Sequence, residues 1–368
     1  MKSDSILFLI SLFFSFVWLV VKDVTSSSMM VLSILRYLPI IILYIKYFKS
    51  TYAAIIPVFF LLALFTLYLF SENEYSVAGM IVTGMFPTYL YVVNRVKLSR
   101  DQISFVALLA ILAYVFYVLI SYNFINEVSI NVNQVAFTYL IFTVIILICI
   151  LSNYAKSIKR NMLISILLVV SSFLILYTES RNSILVFFLL LFSVIFKGKL
   201  TKHLNLILLI ILIFYILYPW VYCQMAKNFF FRYTNDTNFM GQDVFSGRNI
   251  IWNYIFNKLR YPSTFLSGGI NTDWWGKSMH NSALDIVTRY GVPTLLALFL
   301  IILFYFRESL ALISNKFKSL LIIILVTMVW GVNESGLFLG YSYFLFLPLC
   351  FIRSKCIRRS HQNYHFAN

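Results

Sequence analysis

Apolar runs of 15 to 19 residues recur along almost the whole chain, separated by short polar segments. A helix that crosses a hydrocarbon core of about 30 Å needs roughly 17–25 mostly apolar residues. Within lipid, each segment must satisfy its own backbone polar groups, and that selects helices. The runs therefore predict an all-α, polytopic integral membrane bundle, and composition agrees. Hydrophobic residues make up 61% of the chain and charged residues only 11%, against about 25% charged in a soluble domain. The mean hydropathy is +0.88. Twelve spans are expected, near 5–21, 29–45, 52–70, 75–93, 103–120, 134–152, 161–178, 182–196, 204–222, 290–306, 319–333 and 337–352. They form one integral domain over 1–368, with a large external loop at 223–289 inside it. Lys2 precedes the first apolar run and no small-residue cleavage site follows it, so an uncleaved first span is expected.

The charges orient the bundle. With both termini cytoplasmic, the inside segments hold 19 of the 29 lysines and arginines, as the positive-inside rule requires. The formal net charge of +16 is then a topology signal, and nucleic acid is not expected as a partner. Residues 223–289 fall outside and are long for a connector, a hallmark of functional loops. The loop is basic, which implies an anionic partner at the outer leaflet. The four cysteines show no disulfide or metal spacing.

Ser246-Gly-Arg-Asn-Ile-Ile-Trp within the loop reads as the start of a short amphipathic helix that Pro262 stops. Ser282-Ala-Leu-Asp285 has the form of a capping box, with Ser282 as the N-cap. His280 and Asn281 then precede a helix N-terminus, where free N–H groups favour an anion. That helix is expected to run past Arg289 to Gly291-Val-Pro293.

His280 is the lone histidine on the outer side and can accept a proton near neutral pH. Arg181, in the tight turn Thr178-Glu-Ser-Arg-Asn182, lies at or just below the outer surface. An arginine there snorkels to headgroups or faces a wet cavity or an anion. Arg36, midway along the second span, raises the same question. Arg248 opposes its helix dipole unless an anion intervenes. Glu334 sits in the short turn Gly331-Val-Asn-Glu-Ser-Gly336. There is no Asp-x-Asp pair, Walker loop or dinucleotide fingerprint, so a metal-dependent sugar-nucleotide transferase and an ATP-driven pump are disfavoured, and neither cofactor nor metal is expected.

Glu179-Ser-Arg-Asn182 at a span end, Ser246-Gly-Arg-Asn-Ile-Ile-Trp252 in the large loop, and His280-Asn-Ser-Ala-Leu-Asp285 with Arg289-Tyr-Gly-Val-Pro293 before re-entry together resemble the bacterial O-antigen polymerase and ligase superfamily. The resemblance implies metal-independent glycosyl transfer at the outer face of the bacterial cytoplasmic (inner) membrane, with a fold similar to integral-membrane glycosyltransferases. A glycan on undecaprenyl diphosphate would move to the terminal sugar of another lipid-linked repeat unit. Arg181 and Arg248 would bind the donor diphosphate, and His280 would orient or deprotonate the acceptor hydroxyl. Arg289 would add to phosphate binding or pair with Asp285, while Asn281, Glu334 and Arg36 are further substrate-binding candidates. The partners implied are the undecaprenyl-diphosphate-linked oligosaccharide, the bilayer, a chain-length-regulating co-polymerase and a flippase.

A ligase that transfers glycan to lipid A-core would use the same donor. A lipid-linked oligosaccharide flippase, a transporter, would place ionisable residues near mid-membrane between related halves. Only Arg36 fits that pattern. An assembly protein would explain the topology but not the basic loop.

Overall fold

The computed structural model describes residues 3–22, 29–48, 52–70, 77–125, 132–154, 156–232, 238–239, 242–243, 248–272, 274, 279–313, 315–334, 337, 344 and 346–351. They form an all-helical bundle, apart from a two-residue antiparallel hairpin pairing Asn238–Phe239 with Gln242–Asp243. The helices are α1 (Ser3–Val21), α2 (Met29–Tyr47), α3 (Tyr52–Phe70), α4 (Val77–Val93), α5 (Arg100–Ile125), α6 (Val132–Asn153), α7 (Ile158–Tyr177), α8 (Arg181–Leu200), α9 (Leu204–Arg232), α10 (Arg248–Lys258), α11 (Pro262–Ser267), α12 (Ser282–Leu312) and α13 (Asn315–Met328).

Seven of these (α1, α3, α5, α6, α7, α9 and α12) are long and apolar enough to cross a membrane. The sequence predicts twelve crossings. The apolar parts of α4, α8 and α13 are shorter: Gly79–Val93, Arg181–Ile195 and Leu320–Val332. Fifteen helical residues rise only about 22 Å, less than the roughly 30 Å of a hydrocarbon core. In α2, Arg36 and Lys46 interrupt the apolar run. The last expected span is described only at 337, 344 and 346–351, with 346–351 helical.

α6 is apolar on every side and buried from Val135 to Cys149, as befits a helix at the centre of a bundle. Phe142 of α6 stacks on Tyr114 of α5, their centroids 5.4 Å apart. α7 buries only Ser171 and Ile175 and forms part of the outer wall. α9 and α12 run antiparallel. The Asn281 side chain donates to Tyr215 O of α9, while Leu204 and Leu206 share a cavity with Arg307 and Leu310.

The loop helices have their own core. α10 turns Ile251, Trp252 and Ile255 inward against Cys223, Ile270, Met279 and Leu284. α10 ends before Pro262, as expected, and Pro262 opens α11 at a first-turn position where its missing N–H is harmless. α9 continues to Arg232, ten residues past its expected end at Tyr222.

α12 comprises two helical pieces that meet at Gly291, where φ is 81° and ψ 171°. A Cβ there would lie 2.4 Å from Leu266 O, and a Cβ on Gly268 would lie 2.6 Å from the Arg289 carbonyl carbon. The two glycines let α11 press backbone to backbone against the break. Ile270 N–H then donates to Thr288 O at 3.0 Å, satisfying a carbonyl near the end of the first piece. The capping box shifts by one residue. Asn281, not Ser282, is the N-cap, and its Oδ1 accepts from Leu284 N–H at 2.8 Å. Asparagine and serine cap about equally well, and tertiary contacts of Ser282 decide between them.

Candidate functional site

Glu334 organises the site. It follows the 3-10 turn Val329–Val332 at the end of α13 and is 2% exposed. A buried carboxylate costs several kcal/mol unless it is paired, and three side chains supply partners. Asn133 Nδ2 donates to Oε1 at 2.8 Å. Arg248 Nη2 approaches Oε1 at 3.5 Å, and His280 Nδ1 lies 3.3 Å from Oε2. α6, α10 and the turn before α12 thus converge on one acid. An ordinary turn acid would be solvated; this one is structural.

Arg248 also donates through Nη1 to Asn333 Oδ1 and, at 3.4 Å, to Asn333 O. Tyr218 OH donates to the same Oδ1 at 3.4 Å. Glu334 is therefore the anion that offsets a cation at the first position of α10. Arg248 Nε is buried without a hydrogen-bond partner.

His280 adopts φ 52°, a left-handed conformation uncommon outside glycine. Its neighbours hold it there. Trp252 Nε1 donates to Met279 O at 2.7 Å, and both hydrogens of the Asn281 amide are used, on Tyr215 O at 3.1 Å and Val332 O at 2.6 Å. Ser282 Oγ donates to Glu334 O at 2.7 Å and accepts from Leu337 N–H at 3.1 Å. A carboxylate can only accept, so Nδ1 of His280 serves as the donor toward Glu334 and Nε2 points away from it. The result is an imidazole and a guanidinium held side by side by one buried acid. The His280 side chain is 19% exposed and that of Arg248 14%.

Arg181 stands exposed at the first position of α8, behind a Ser180 cap. Its turn is fastened to the one that carries Glu334. Asn182 Nδ2 donates to Trp330 O at 3.0 Å, and Trp330 Nε1 donates to Ser183 Oγ at 3.2 Å. Trp330 in turn stacks on Phe137 at 3.7 Å.

The other sequence candidates have different placements. Asn281 is fully buried, and its polar atoms cap α12 and tie it to α9, a positioning role. Glu334 likewise orients His280 and Arg248. Arg289 is half-buried, about 12 Å along α12 from Asn281 at 1.5 Å per residue. Arg36 is fully buried between α1 and α2, its guanidinium 4.4 Å from the Trp18 ring and 4.5 Å from that of Tyr37. Nη2 donates to Tyr37 OH at 2.7 Å. Sequence reasoning missed Asn133, Asn333 and Tyr218, and gave Ser282 only as a helix cap and Trp252 only within a motif. The adjacency of Asn333 to Glu334 was its only local sign, and Asn133 offered just its polarity beside an apolar run.

Among the described residues, no group of three or more His, Cys, Asp or Glu could hold a metal ion. The chain matches no family model, no curated protein and no solved structure.

Proposed function

We propose that this chain is a polymerase of a bacterial surface polysaccharide, O-antigen or capsule. It spans the cytoplasmic membrane twelve times, with both termini inside and residues 223–289 in the periplasm. The observation that carries this reading is the convergence of His280 and Arg248 on buried Glu334. His280 Nε2 takes the proton of the acceptor hydroxyl as its oxygen attacks the anomeric carbon of the donor glycan. The bond from that carbon to the diphosphate oxygen breaks, and undecaprenyl diphosphate leaves with the electron pair. Arg248, with Arg181 from the neighbouring turn, stabilises the charge that develops on the diphosphate, since guanidinium groups pair bidentately with phosphate oxygens.

A ligase would share the donor and the base and differ in its acceptor. Transport rests on Arg36, which the aromatic rings of Trp18 and Tyr37 enclose.

The test is gel analysis of surface glycan from a deletion strain complemented with Arg181→Ala, Arg248→Ala or His280→Ala. Glycan of single repeat units is the expected outcome for each membrane-inserted variant. A normal ladder with all three variants overturns the reading, and bare core redirects it to the ligase or flippase. Reconstitution with lipid-linked repeat separates those two, because only an enzyme releases undecaprenyl diphosphate.

A further inference from the structure

A concavity lies at the end of the bundle remote from Glu334. The 3-10 turn Thr201–His203, the start of α9, the last turns of α12 and the first turns of α13 enclose about 470 Å³, within the roughly 300–1,000 Å³ typical of small-molecule sites. Lys202, His203, Arg307 and Lys318 line it, and among the described residues no acidic side chain does. Among the described residues, none of these four side chains makes an ion pair or a hydrogen bond. Two other cations at helix ends are paired, Lys46 with Asp4 and Arg95 with Glu308. Among the described residues, four basic side chains outside any ion pair thus share one cavity.

Leu204, Leu206, Leu310 and Ala311 supply an apolar part of the wall, beside Thr201 and Asn205. Leu206 is 53% exposed on the outer surface of α9, and Leu310 lines the opposite side. Both belong to helices long and apolar enough to cross a membrane, so the cavity sits where such helices end. A ligand that satisfies both walls has an anionic head and a hydrocarbon tail.

We propose that this cavity binds the phosphate headgroup of an acidic phospholipid, with an acyl chain along Leu206 and Leu310. Basic pockets between membrane helices suit such headgroups. Bound there, the lipid joins the start of α9, the end of α12 and the start of α13. This inference is independent of the polymerase reading.

The experiment measures thermal unfolding of the full chain in neutral detergent, titrated with phosphatidylglycerol or phosphatidylcholine. Phosphatidylglycerol should raise the midpoint and phosphatidylcholine should not, with the effect weakening as salt rises. A Lys202→Gln, Arg307→Gln, Lys318→Gln triple variant should need at least roughly tenfold more phosphatidylglycerol for the same shift. A Lys156→Gln, Lys159→Gln, Arg160→Gln variant, altered at another polar segment, should behave as the unsubstituted protein does. If the first triple variant does not survive purification, Lys318→Gln alone, read by native mass spectrometry for retained phosphatidylglycerol, decides in its place. Unchanged phosphatidylglycerol binding in the substituted cavity overturns the proposal. So does an equal midpoint shift with inorganic phosphate or glycerol phosphate alone, which would make the site one for a free anion.

Discussion

The imidazole of His280 and the carboxylate of Glu334 face one another at 3.3 Å across 54 residues of sequence. The carboxylate sets which imidazole nitrogen carries the proton, and the polymerase reading depends on that. Glu334→Gln keeps the shape and removes the charge, and its amide can either donate or accept. Polymerisation by reconstituted protein should fall by about 10²–10⁴-fold, the usual contribution of a positioned acid or base. Thermal unfolding checks that the variant is folded.

Arg248 reaches two partners through separate nitrogens, Asn333 through Nη1 and Glu334 through Nη2. Lysine offers one nitrogen and cannot span both. Arg248→Lys should therefore reduce kcat/KM for the lipid-linked donor by roughly 10–100-fold, corresponding to one charged hydrogen bond of about 1.5–3 kcal/mol. Initial rates against donor concentration measure it.

Trp252→Phe retains ring packing but leaves the buried Met279 carbonyl without its donor. An unsatisfied buried acceptor costs about 1–3 kcal/mol, so the unfolding midpoint should drop by several degrees. Elongation should fall as well, because Met279 precedes the strained backbone of His280. A variant that loses stability but elongates normally would show that Trp252 acts on the fold alone.

Gly291→Ala places a Cβ 2.4 Å from a backbone oxygen at positive φ. Strain of about 1–3 kcal/mol for that conformation adds to the clash, so a marked fall in the unfolding midpoint is expected. Gly84→Ala is the control. Its Cβ would meet the tip of the Leu61 side chain, which can swing away, so a smaller shift should follow.

Local features were legible in the sequence. Helices lie over eleven of the twelve apolar runs and over 346–351 in the described part of the twelfth, the short loop helix ends before Pro262, and the first piece of α12 stops at Gly291. Each rests on residues a few positions apart. What escaped was long-range. Asn133 and Glu334 lie 201 residues apart and Arg248 and Asn333 85 apart, and no periodicity within one helix encodes such a meeting. The N-cap at Asn281 was misplaced by one residue for the same reason, since Ser282 is claimed by the distant backbone of Glu334 and Leu337. Glu334 was a substrate-binding candidate in the sequence, but its burial and its partners were not legible because they depend on three other segments.

The interruption at Gly291 means that the heading of His280 is not inherited from the long apolar helix below it. One residue inserted into 292–312 would spin that lower rod by about 100° about its axis. The upper piece, clamped by Trp252, Tyr215 and Glu334, would keep its bearing. Descendants of this chain can thus lengthen or shorten the anchor to suit a thicker or thinner bilayer without re-aiming the imidazole.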